Sequence, residues 1–274
     1  MSRPGTAGAA SRAGGQNGPA RIGIPAQGQD REARLTEELA QERHTAIELQ
    51  RAILPLHEGP FDLPGLRAVV RYLPASKAGL VGGDWYITAE MPTGQVLIAI
   101  GDVAGHGLAA AAGMARLRGA LAGLAITGAA PGRLVGWLND LVHHVDAEHT
   151  ASVAAGYFDP GSRRLTWAQA GHLPPVVVRA GQARLLDPPS GILLGAGAGG
   201  YAVCTQQLEQ GDLLLLYSDG LVERRDRSLD DGLTALTDAA CGADGPEQAV
   251  ETILGALASA EQEDDTCLVA LQIL

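Results

Sequence analysis

Residues 85–107 read WYITAEMPTGQVLIAIGDVAGHG. Two β-favouring runs, 85–90 and 95–100, flank a Pro92-Thr93-Gly94 turn that is too short for a crossover, so they form an antiparallel hairpin. The second run ends on Gly101-Asp102, and the composition turns helical from Leu108 to about Ile126. A second helix is expected from Pro131, a good first-turn residue, to Val145. Further out the same grammar repeats. Strands are expected at 66–72, at 151–158 and 164–170 around DPGSR, and at 175–179 and 183–186 around Ala180-Gly181-Gln182. Another pair, 202–208 and 212–218, surrounds EQGD; helices at 231–240 and 246–260 precede a last strand at 267–274. Strands joined mainly by tight turns make antiparallel sheets, and clustered helices cover their outer faces. The fold class is therefore α+β, two sheets between helices.

The chain has 274 residues, 46% hydrophobic, enough to bury a full core. A net charge of -11 argues against nucleic acid, which needs clustered cations. The apolar region 107–126 is broken by Arg116 and Arg118, and no signal sequence or membrane span is expected. Cys204, Cys241 and Cys267 include no CxxC and cannot all pair, which fits a reducing, cytoplasmic setting. Residues 1–30 lack large apolar side chains and are expected to be a disordered tail, too short and polar for a sensor domain. Over 31–54 the residues Leu35, Leu39, Glu42, Ala46, Leu49 and Ile53 alternate spacings of four and three. This predicts an amphipathic linker helix; packing on its own domain and pairing in a homodimeric coiled coil both stay open. Residues 55–274 form the main domain.

Four acidic sites share one kind of address. Asp84 precedes a strand, Asp102 and Asp219 follow strands, and Asp264-Asp265 precede the last one. A lone acid at such a place is usually a turn or cap residue. Four that converge would raise one another's pKa, a conflict that a divalent cation resolves. Oxygen ligands without a histidine or thiol cluster favour Mn2+ or Mg2+ over zinc. Two such ions about 4 Å apart would bind and deprotonate a water for in-line attack on a phosphoryl group.

The set VGGDW, IGDVAGHG, AGHLPP, LLYSDGLVE and EDDTCLVAL, in this order, resembles the SpoIIE-type branch of the PPM (protein phosphatase 2C-like) phosphatases. The likeness begins near LQRAILP at Leu49 and runs to the C-terminus. It implies an α-β-β-α sandwich and two-metal hydrolysis of phosphoserine or phosphothreonine in a bacterial signalling partner, typically a STAS-domain anti-anti-sigma factor. By resemblance, Asp84 ligates one metal and Asp102 bridges both. The Val103 carbonyl joins the second, and Asp219 with Asp264 completes the first; Asp265 replaces Asp264 if the register shifts by one. The chain departs from the family at Ile87, where an acid is often found, and at Cys267, usually Thr. These departures keep open a catalytically weak or silent pseudophosphatase that binds a partner or dimerises.

Other residues weigh less. His106 and His172 read as packing or loop groups near the site, and His143, His144 and His149 as surface residues at a helix end. Lys77 and Arg71 are available to phosphate but read better as solvated charges. No cysteine is followed six positions on by Arg, since those positions hold Gln210, Glu247 and Ile273, which excludes a thiol phosphatase. The sole lysine is not in a GxxxxGK[ST] setting, which excludes a P-loop enzyme.

Overall fold

The computed structural model describes residues 59–74, 82–145, 149–258 and 264–274, together with individual positions between 31 and 54. The tail expected at 1–30 and Lys77 lie outside the described residues. The chain divides into Met1–Leu39 and Ala40–Leu274. In the first unit Arg31 and residues 34–38 are helical, with Leu35 exposed. In the second, residues 40–41, 44–45, 48 and 53 are helical, and Leu54 is buried in the core beside Ile53. The end of the linker segment thus packs on its own domain. The heptad positions Leu39, Glu42, Ala46 and Leu49 fall outside the described side chains.

Eleven strands are found among the described residues. They are β1 (Phe61–Leu63), β2 (Leu66–Leu73), β3 (Trp85–Glu90), β4 (Val96–Val103), β5 (Ala151–Asp159), β6 (Arg164–Ala170), β7 (Val176–Arg179), β8 (Gln182–Leu185), β9 (Cys204–Gln207), β10 (Leu213–Tyr217) and β11 (Thr266–Ile273). They form a six-stranded sheet ordered β1-β2-β11-β10-β7-β8 and a five-stranded sheet ordered β3-β4-β5-β6-β9. Every pairing is antiparallel. Helices α1 (Leu108–Ala125) and α2 (Pro131–Val145) cover the five-stranded sheet; α3 (Leu229–Ala240) and α4 (Pro246–Leu257) cover the six-stranded one. This is the expected α-β-β-α sandwich.

Strand period fixes the layers. In β11, Cys267, Val269, Leu271 and Ile273 enter the core shared with the five-stranded sheet, while Leu268 and Ala270 face α3 and α4. In β10, Leu214 and Leu216 go to the first core, and Leu213, Leu215 and Tyr217 to the second. On α1 the buried residues Ala110, Met114, Leu117, Leu121 and Ala125 recur at helical spacing. The α3 terminus is capped by the Ser228 hydroxyl, which accepts from the Asp231 N–H at 3.1 Å, so this helix starts at Leu229, two residues before the expected Asp231.

The differences from the sequence expectations lie at the edges. Strand β1 was not expected, being three residues beside the Pro64-Gly65 turn. Asp212 leaves β10 to take three bonds from the Arg179 guanidinium, at 2.6–3.2 Å. Asp102 does not follow its strand but lies inside β4, directly across from Ser152 of β5.

Candidate active site

The two sheets deliver the acids in pairs. Asp84 and Asp102 come from the neighbouring strands β3 and β4, Asp84 from just before its strand; Asp219 and Asp264-Asp265 flank the neighbouring strands β10 and β11. Asp219 opens a single 3-10 turn, Asp219–Leu221. Between the sheets Ser218 is the fastener. Its hydroxyl donates to Asp84 Oδ2 at 2.6 Å and accepts from the Cys267 N–H at 2.9 Å, while its own N–H donates to the Cys267 carbonyl at 3.0 Å.

Asp265 is fastened differently. Its Oδ2 accepts from the Gly82 N–H at 2.8 Å and from the Tyr72 hydroxyl, and its side chain is buried. Tyr72 sits on β2 directly across from Cys267. Asp264, by contrast, is exposed, and its Oδ1 accepts from the Asp265 N–H at 2.8 Å. Glycines make these approaches possible. A Cβ on Gly83 would fall on the Val103 carbonyl oxygen, and one on Gly220 would fall on that of Asp265.

The charges are crowded. Burial, then Asp102, pushes the Asp84 carboxyl far up, with Asp219 and Asp265 adding to it and the Ser218 bond opposing. Asp102 is raised to about 7 by burial, then by Asp219, Asp264 and Asp265. Asp219 is raised by burial, then by Asp264 and Glu223. Asp264 is exposed by area, yet desolvation by its dense surroundings is still the leading cause of its upward shift, with Asp265 and Glu223 adding and His106 opposing. Asp102 therefore lies within electrostatic reach of Asp84, Asp219 and Asp264, and His106 opposes the crowding at Asp264.

All donors in this set are oxygens, which suits a hard divalent cation in both chemistry and charge. Among the described residues no three acids, histidines or cysteines already close on one point. Asp84 is turned to Ser218 and Asp265 to Tyr72 and Gly82. Asp102 and Asp219 line a cleft of about 210 Å³ with Glu223, Ser152, His172 and several apolar residues. Among the described residues no Lys or Arg belongs to its lining. Arg71 donates to the Val70 carbonyl at 3.0 Å, and Lys77 lies outside the described residues.

His172 is a structural member of the cleft wall. Burial pushes its imidazole down to about 4 against an opposing pull from the Tyr217 backbone, so the ring is neutral near pH 7. Its Nδ1 lies 2.6 Å from Ser152 Oγ, and its N–H donates to Gln169 Oε1 at 2.7 Å. His143 and His144 are exposed in the last turn of α2. Ile87 is buried in the core and does not line the cleft. Cys267 is wholly buried, and burial pushes its thiol well up.

Ser218, Tyr72, Ser152 and Glu223 were not singled out from the sequence. Ser218 and Glu223 carried a local signal, their place in the LLYSDGLVE motif around Asp219. Tyr72 is 193 residues from Asp265, and no short-range pattern joins them. Replacing Tyr72 by Phe leaves a buried carboxylate one donor short and is expected to destabilise the fold by about 1–3 kcal/mol. Equilibrium urea unfolding measures this, and a loss below about 0.5 kcal/mol would show the bond to be dispensable.

Comparison with known proteins bears on the family and the fold. The Stage II sporulation protein E (SpoIIE) family profile matches residues 92–274. "Phosphoserine phosphatase RsbU" of Bacillus subtilis is 31% identical over 148 residues, which are 53% of this chain and 44% of that protein. The structure of the RsbU and RsbW domains of Rv1364c from Mycobacterium tuberculosis superposes with a TM-score of 0.70 at 30% identity, over 77% of this chain and 60% of that one. The SiaA-PP2C domain of Pseudomonas aeruginosa, 21% identical, shares the fold with a TM-score of 0.66 over 89% of this chain and 98% of its own. The chain thus spans less than two thirds of each of the first two relatives. Because the family profile covers more than half of it, and the sandwich agrees, this chain belongs to the SpoIIE family and carries its PPM-type phosphatase fold.

Proposed function

We propose that the chain is a metal-dependent protein phosphatase that hydrolyses phosphoserine or phosphothreonine in a bacterial signalling partner, of which a phosphorylated STAS-domain anti-anti-sigma factor is the leading candidate. The observation that carries this reading is the crowding of Asp84, Asp102, Asp219 and Asp264, all shifted upward, at a cleft lined by Asp102 and Asp219 to which no Lys or Arg among the described residues contributes. A phosphate dianion would be repelled from such a cleft by the side chains alone. Two Mn2+ or Mg2+ ions, when bound, would supply the charge that neutralises both the acids and the phosphoryl oxygens.

Asp84, Asp102, Asp219 and Asp264, with the Val103 carbonyl, are the residues assigned to hold the ions. Asp265 is assigned to hold the Gly82–Asp84 segment in place, since Tyr72 and Gly82 already occupy its inner oxygen. Asp264, exposed and bonded to the Asp265 N–H through Oδ1, is the better ligand of the two. Ser218 orients Asp84 through their 2.6 Å bond. The Cys267 thiol takes no part, because it is buried in the core. Hydrolysis is direct: a water oxygen bonds to phosphorus, the serine oxygen leaves and takes up a proton, and no phosphoenzyme forms.

Phosphate release from an aryl phosphate and from a phosphoserine protein, with Mn2+ or Mg2+ and then with excess EDTA, tests this. Turnover that depends on the cation and vanishes with chelator is expected. No release with either cation would favour a silent, partner-binding domain, and release that is indifferent to EDTA would overturn the metal assignment.

A further inference from the structure

The chain between β8 and β9, residues 186–203, contains no strand or helix, only an isolated bridge from Leu194 to Ala151. An unstructured connection beyond about 12–15 residues is uncommon in a compact domain unless it has a job. This one is held at several points. The buried Asn139 side chain donates to the Gly197 carbonyl at 3.1 Å and accepts from the Gly195 N–H at 2.9 Å. The buried Gln169 amide donates to the Pro189 carbonyl at 2.9 Å and accepts from the His172 N–H at 2.7 Å. The Gly171 N–H donates to the Gly191 carbonyl at 3.0 Å, and the missing Cβ of Gly171 makes room for Leu193, whose Cδ2 would lie 2.6 Å from it.

The loop is thus fixed to present Leu193 to the cleft, where Leu173 from the turn after β6 and Leu229 from the start of α3 also line the space. Leu193 and Leu229 are 39% and 40% exposed, so their apolar surface remains wet. Three leucines from three separate segments share one cleft with Asp102, Asp219 and Glu223, and no Lys or Arg among the described residues joins them. Wet leucine beside fixed acid matches a neutral, apolar side chain and repels an acidic one.

We propose that Leu173, Leu193 and Leu229 form a specificity wall that takes an apolar side chain adjacent to the phosphorylated residue of the protein substrate. This rests on the phosphatase reading of the same cleft. Removing several methylenes from a side chain in an apolar subsite commonly changes kcat/KM by about tenfold or more.

The test uses the full chain with Mn2+, an aryl phosphate, and three phosphoserine peptides that carry Leu, Ala or Asp on both sides of the phosphoserine. The expected order of kcat/KM is Leu above Ala by about tenfold, with Asp lowest. In Leu193→Ser and in Leu229→Ser the ratio of Leu to Ala peptide, taken within each enzyme, should fall toward one through a rise in KM for the Leu peptide. Both positions are solvent-facing, and circular dichroism with a melting curve confirms that each variant is folded; Leu193→Ala serves if the serine variant is not. Aryl phosphate turnover with equal or absent turnover of the three peptides overturns the wall and leaves the phosphatase reading standing. A preference that survives in both leucine variants also overturns it. No release from any substrate is instead the failure of the phosphatase reading, and the wall falls with it.

Discussion

Asp102→Asn should reduce metal-dependent turnover at least about 10³-fold while making the metal-free protein more stable. The two effects have opposite sign because they arise from one crowding of charge. Burial and the neighbouring acids Asp219, Asp264 and Asp265 raise Asp102 to about 7, whereas in the unfolded chain it returns to about 4. The folded state therefore holds its proton more tightly. The stability that comes from that proton is fully present below about pH 4 and is lost as the pH rises through about 7. Three pKa units correspond to about 4 kcal/mol, an upper bound shared over the coupled cluster. In EDTA the Tm of the native chain should fall between pH 5 and 8, and that of Asp102→Asn should fall less. Mn2+ at a hundred times its Kd should restore about 2.7 kcal/mol to the native chain and less to the variant. A Tm that climbs with pH in EDTA, or that is the same in both proteins, would show that the acids do not strain one another.

Gly83→Ala is the second large effect. Its new Cβ would fall on the Val103 carbonyl oxygen and crowd the Val103 nitrogen at 2.6 Å, where the Val103 N–H now donates to the Gly83 carbonyl at 3.2 Å. Both neighbours are backbone in a central strand, so relief requires parting β4 from the segment that carries Asp84. Overpacking of this kind costs about 1–3 kcal/mol and often more. Because that movement separates Asp84 from Asp102, activity should be lost well before the fold is. Gly136→Ala is the matched comparison, on α2 with nothing within 4 Å of its added Cβ. It should stabilise by about 0.5–1 kcal/mol through helix propensity. Thermal melts of both variants decide the matter, and a Gly83→Ala protein as stable and active as the parent would refute the close approach.

The sequence allowed the hairpin of β3 and β4, the Pro131 helix start and the strand that became β10 to be read, because each is written in neighbouring residues. The acids were visible for the same reason, each set at a glycine or strand end. What escaped depends on residues far apart. Nothing near Tyr72 announces that it will lie across from Cys267 and bond to Asp265. The choice between Asp264 and Asp265 is therefore open in the sequence, which does not show their partners. Nor does the stretch 186–203 reveal that Asn139 and Gln169 will hold it, since both amides act on it from other elements. Short β1 escaped because three residues carry no period.

The eight-residue ladder between β2 and β11 has a temporal meaning. It joins residues 66–73 to residues 266–273, so the middle of the larger sheet cannot close on the ribosome until nearly 200 further residues have been made. Asp264 and Asp265 emerge with that closing strand. A nascent chain halted just before that strand would hold Asp84, Asp102 and Asp219 without Asp264, and the proposed chemistry would have no complete site until synthesis had passed the final β segment.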